Sequence, residues 1–80
     1  MRIYAEDKEI AGVICNKCGK KLLVERGIVK EGCFHVDSVF GYFSKKDGMR
    51  HQFDLCEACY DEMTENFQIP LTEKEDTELL

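Results

Sequence analysis

Eighty residues suffice for one small domain but give too little core to stabilise it alone, and natural chains of this size add a metal, disulfides or a partner subunit. The net charge of −5 divides as +1 over residues 1–60 and −6 over residues 61–80, which disfavours generic binding to DNA or RNA, where affinity comes from neutralising phosphates. No run approaches the roughly 20 apolar residues of a membrane helix, and acidic residues precede any apolar run at the start of the chain, so a cytoplasmic protein with no membrane association is expected.

In chain order, Ile3, Ile10, Val13 and Ile14 around Glu6-Asp7-Lys8-Glu9 predict a short extended segment, a turn, and a strand entering Cys15-Asn16-Lys17-Cys18-Gly19. Gly19 should supply a positive φ there. Leu22-Leu23-Val24, a turn at Glu25-Arg26-Gly27, and Ile28-Val29-Lys30 predict a first hairpin, after which Gly32 interrupts the pattern. Residues 34–43 alternate with Phe34, Val36, Ser38, Phe40 and Tyr42 on one face and His35, Asp37, Val39, Gly41 and Phe43 on the other. Asp47-Gly48 predicts a two-residue type I′ turn, with Lys46 opposite Met49, Tyr42 opposite Phe53 and Phe40 opposite Leu55. Arg50, Gln52 and Asp54 then face the other way. A helix is predicted over residues 56–68, with capping-box spacing at Asp54 and Glu57, a stripe of Cys59, Met63 and Phe67, and Pro70 as its stop. Residues 1–72 read as a single domain and residues 73–80 as an acidic, flexible tail.

The strongest signal is chemical. Cys15, Cys18, Cys56 and Cys59 form two Cys-x-x-Cys pairs separated by 37 residues, and four thiolates gathered tetrahedrally are the ligand set of a structural Zn²⁺ ion, one per chain. In a reducing compartment such pairs serve metals rather than disulfides, and the fifth cysteine, Cys33, also fits poorly with a closed disulfide framework.

A knuckle, then hairpins, then a second pair opening a helix resembles the treble-clef zinc fingers. The resemblance lies at Cys15-Asn16-Lys17-Cys18-Gly19 and Phe53-Asp54-Leu55-Cys56-Glu57-Ala58-Cys59-Tyr60, and the chain also looks like small bacterial proteins with the same two motifs. It implies an α+β fold, β-hairpins plus one C-terminal helix stapled by zinc, and it leaves the partner open. The neighbouring zinc ribbon places both pairs on knuckle turns, whereas here no glycine follows Cys59 and Tyr60-Asp61-Glu62-Met63 reads as helix. A rubredoxin-like iron electron carrier is a further alternative, disfavoured because the second motif lacks the proline and following glycine that rubredoxins usually carry.

Other candidates have plainer readings. His35 and His51 are surplus to a complete Cys₄ site, Cys33 reads as a packed free thiol, and His35-Val36-Asp37 resembles the His-x-Glu of zinc deaminases only superficially. No catalytic constellation is legible, so a non-enzyme is expected. Phe34, Phe40, Tyr42, Phe43 and Phe53 should mostly build the core, with an uncovered face around Val39 and Phe43 left for self-association or a protein partner. The second reading is a nucleic-acid or ribosome-associated finger, should Lys17, Lys20, Lys21, Lys45, Lys46 and Arg50 converge on one face.

Overall fold

The structure, a computed structural model, describes residues 1–76. Among the described residues, seven short strands precede one helix: β1 Arg2–Tyr4, β2 Ile10–Ile14, β3 Lys21–Leu22, β4 Val24–Glu25, β5 Ile28–Val29, β6 Cys33–Val39, β7 Arg50–Cys56 and α1 Glu57–Glu65. They make three small antiparallel sheets, β1-β2-β3, β4-β5 and β6-β7, which gives the α+β class expected from the sequence.

The tightest hairpin is β4–β5. Val24 pairs with Val29 and Glu25 with Ile28, leaving Arg26 and Gly27 as a two-residue loop with φ of 52° and 76°. Positive φ at both positions is the signature of a type I′ turn, which matches the right-handed strand twist. That turn lies here rather than at Asp47-Gly48, where Gly48 alone adopts positive φ, at 84°.

The β6–β7 hairpin departs from the predicted register. Phe34 pairs with Leu55, Val36 with Phe53 and Val39 with Arg50, and residues 40–49 form a long loop of successive turns instead of further strand. Polar pairing explains the choice. The observed register sets His35 opposite Asp54, adding a hydrogen-bond partner for that buried carboxylate, whereas the tight register would set it opposite Gly41, which has no side chain to offer. The shift is by an even number of residues, so each side chain keeps its predicted face.

Helix α1 is also shorter than predicted. Cys56 is its N-cap, with extended backbone and no side-chain cap, so the expected Asp54–Glu57 capping box does not form. At the other end the Thr64 hydroxyl donates to the Tyr60 carbonyl at 3.1 Å and Asn66 Nδ2 to the Glu62 carbonyl at 2.8 Å. These local bonds compete with further helix and end it four residues before Pro70.

The buried apolar core comprises Val13, Cys15, Leu22, Leu55, Cys56 and Cys59, with Ile10, Val24, Val29, Phe53 and Met63 packed against it. The aromatics do not build it, contrary to expectation. Phe40 and Phe53 are half-buried, Phe34 leans on Tyr60 with ring centroids 4.8 Å apart, and Tyr42 and Phe43 are 83% and 98% exposed. So few elements leave room to cover only aliphatic and thiol side chains. Of the predicted helix stripe, Cys59 is buried and Met63 partly so, while Phe67 lies beyond the helix and is exposed.

Where β6 begins, Gly32 lies against α1. A Cβ at Gly32 would sit 2.9 Å from the Glu57 Cβ, closer than real Cβ contacts allow. Gly32→Ala is therefore expected to destabilise the fold by about 1–3 kcal/mol through overpacking, read as a lower urea midpoint at unchanged slope.

Candidate metal centre

The first pair of thiols is placed by the turn between β2 and β3. The Cys15 N–H donates to the Lys20 carbonyl and the Gly19 N–H to the Cys15 carbonyl, both at 2.9 Å, and Gly19 takes the expected positive φ of 81°. The second pair is placed by the junction of β7 and α1, Cys56 closing the strand and Cys59 lying in the first helical turn.

The four sulfurs of Cys15, Cys18, Cys56 and Cys59 lie within 4.8 Å of one another, an arrangement able to hold a metal ion. A tetrahedral ion with sulfur ligands at about 2.3 Å requires sulfur–sulfur separations of about 3.8 Å. The Cys18 and Cys56 sulfurs are 3.8 Å apart. Cys15, Cys56 and Cys59 are buried and Cys18 is exposed, so the cluster opens to solvent on one side.

Its electrostatics ask for a cation. Burial opposes ionisation of Cys15, but backbone N–H groups of Cys18, Cys56 and Lys17 outweigh it and bring the thiol down to about 6. Burial pushes Cys59 up to about 12, and sharing hydrogen bonds with Cys56, Cys18 and Cys15 adds to the effect. The Cys15 thiolate forms readily, and Cys59 resists joining it unless positive charge enters the cluster.

Two backbone-directed bonds hold the halves of the site together. The Asn16 N–H donates to the Asp54 carbonyl at 2.8 Å, and the Asp54 N–H donates to Asn16 Oδ1 at 2.9 Å. This pairing locks the knuckle onto β7 two residues before Cys56.

Asp54 is only 1% exposed and is satisfied by charge from distant parts of the chain. Arg2 Nε donates to its Oδ1 at 2.9 Å, His35 Nδ1 lies 2.9 Å from the same oxygen, and the Met1 amino group is 3.1 Å from Oδ2. Burial raises the carboxyl's tendency to hold a proton, but hydrogen bonds from Arg2, the Met1 amino group and His35 prevail and bring it down to about 2.

The remaining sequence candidates lie elsewhere. Cys33, opposite Cys56 in the β6–β7 ladder but not one of the four clustered thiols, is half-buried with Sγ 3.6 Å from Asp54 Oδ1, and burial together with that carboxylate raises its pKa. His51 stands edge-on to Phe40, ring centroids 4.9 Å apart. Lys17 pairs with Glu62 at 2.5 Å, Lys20 with Glu31 at 2.8 Å and Arg50 with Asp37 at 2.6 Å. Three of the six basic residues of the nucleic-acid reading are thus matched by carboxylates.

Comparison with protein-family models, curated proteins and solved structures finds no match to this chain. The site therefore rests on its own geometry. The residues that sequence reasoning missed are the positioning ones, Asn16, Asp54 and Arg2. A carboxylate between Phe53 and Leu55, in a strand leading straight to a ligand, was the available signal.

Proposed function

We propose that the chain is a zinc-stapled, treble-clef-like protein-interaction module of the cytoplasm, of bacterial type and without catalytic activity. The observation that carries this reading is the convergence of four cysteine sulfurs where a turn and a strand–helix junction meet. One Zn²⁺ per chain, held by Cys15, Cys18, Cys56 and Cys59, satisfies the charge that the cluster demands, and a full set of four thiolates leaves no open position for substrate. Zinc suits a structural role because it has no redox chemistry and accepts tetrahedral sulfur geometry without strain.

An interaction role is favoured over nucleic-acid binding because Lys17, Lys20 and Arg50 are already paired, whereas Tyr42 and Phe43 stand in solvent. No helix among the described residues is long and apolar enough to cross a membrane. Native mass spectrometry of untagged protein purified without added metal tests the assignment. One zinc per chain is expected, and iron in its place would overturn the structural-zinc reading in favour of electron transfer. On the partner side, Phe43→Asp is expected to abolish a protein contact while leaving far-ultraviolet circular dichroism and metal content unchanged. Salt-sensitive RNA or DNA binding by the wild type would overturn the choice of a protein partner.

A further inference from the structure

Two exposed surfaces of this chain are opposite in chemistry. The first is the loop of residues 40–49. Tyr42 and Phe43 pack only on each other there, ring centroids 5.3 Å apart and edge to face, at 83% and 98% exposure. Lys45 and Lys46 follow after Ser44, with no carboxylate partner for either among the described residues and with Lys46 Nζ 4.9 Å from the centre of the Phe40 ring. Exposed aromatics beside exposed cations form a knob with a basic collar.

The second surface follows α1. Past Asn66 the chain and the end of the helix line an open, shallow depression of about 330 Å³ between Thr64, Glu65, Phe67, Pro70, Leu71 and Glu73. Phe67, Pro70 and Leu71 give it apolar walls, and Glu65 and Glu73 give it an acidic rim with no basic partner among the described residues. No hydrogen bond, ion pair or ring contact joins this hollow to the loop within one chain.

We propose that the hollow takes the Tyr42–Phe43 knob of a second copy of this chain, with Lys45 and Lys46 set against Glu65 and Glu73. The proposal rests on the interaction-module reading and names its partner. Charge complementarity argues for this occupant: the loop of residues 40–49 carries Lys45 and Lys46 against the single acid Asp47, and the hollow lies within residues 61–80, which carry −6. An aromatic knob entering an apolar, charge-rimmed recess is the usual form of a binding hot spot, with rim charges governing encounter and register. Because knob and hollow differ, the contact is either reciprocal in a two-fold dimer or repeats along a chain of copies.

The test is a charge exchange, with metal-loaded protein followed by sedimentation equilibrium up to about 1 mM, where an association worth about −4 kcal/mol registers. Wild type should associate and should weaken as salt rises. Lys45→Glu with Lys46→Glu gives an acidic knob and an acidic rim, and Glu65→Lys with Glu73→Lys gives the basic counterpart. Each double variant alone should associate at least about tenfold more weakly than wild type, as expected when two exposed attractive pairs become repulsive. An equimolar mixture of the two should associate again, since each knob then meets a rim of opposite charge.

Monomeric wild type throughout this range would overturn the proposal. So would association that survives either double variant, or a mixture that stays as weak as its components. One metal per chain and an unchanged circular dichroism spectrum in each variant separate failure of this contact from failure of the metal-stapled fold. A monomeric, folded, zinc-loaded chain would leave the interaction reading in place and direct it to a different protein.

Discussion

Cys56→Ser is expected to unfold the domain rather than weaken one of its contacts. Cys56 is at once the last residue of β7, the N-cap of α1, a member of the buried core and one corner of the sulfur cluster. Structural zinc in finger peptides binds with an apparent free energy of roughly 10–16 kcal/mol at neutral pH, and because the unfolded chain has no assembled site, that energy appears as folding stability. The core of this chain is too thin to replace it. Stripping the wild type with chelator should therefore collapse its amide NMR dispersion, one equivalent of Zn²⁺ should restore it, and Cys56→Ser should show little recovery. A dispersed spectrum for that variant under chelator would sink the structural-metal reading. Acid should act in the same direction, since protons compete with metal for the thiolates.

Asp54→Ala is expected to cost about 2–3 kcal/mol, because it removes the buried carboxylate that accepts from Arg2, His35 and the Met1 amino group and leaves Arg2, the least exposed of them, without its acceptor. Asp54→Asn keeps hydrogen-bonding capacity while losing the charge, and should cost less. The shift of the carboxyl from 3.8 to about 2 corresponds to about 2–3 kcal/mol. The sign follows from the folded value lying below the unfolded one. The stabilisation is complete above about pH 4 and declines as pH falls towards 2, so urea unfolding at pH 7 with saturating zinc measures all of it. A difference between wild type and Asp54→Asn below about 1 kcal/mol would show that the network around Asp54 contributes little. The loss should also appear as weaker metal binding, because the carboxylate fixes the Met1 amino group, which in turn donates to Asn16 Oδ1 beside the first thiol pair.

The metal-binding cluster was legible because cysteine spacing is a local property and the chemistry admits few alternatives. The strand alternation around Phe34, Val36, Phe53 and Leu55 was legible for a similar reason, since facing depends only on a period of two. Register was not. Asp-Gly is a strong local turn signal, but it was overridden by the pairing of Asp54 with His35, 19 residues away. The fate of the aromatics was hidden for a related reason. Whether a ring is covered depends on how much other structure is available to lie over it, and three two- or three-stranded sheets with one nine-residue helix provide little. The length of α1 turned on bonds made by Thr64 and Asn66, residues whose side chains compete with the helix only once the chain is already helical.

Three of the six buried apolar side chains are cysteines that also form the sulfur cluster. Packing and metal binding are thus carried by the same atoms, so an oxidant that converts one thiolate to a sulfenic acid removes a ligand and a piece of the interior in a single event. The domain's persistence in a cell would follow the redox poise of its surroundings as closely as temperature, and repair would mean reduction first and refolding around a fresh ion afterwards.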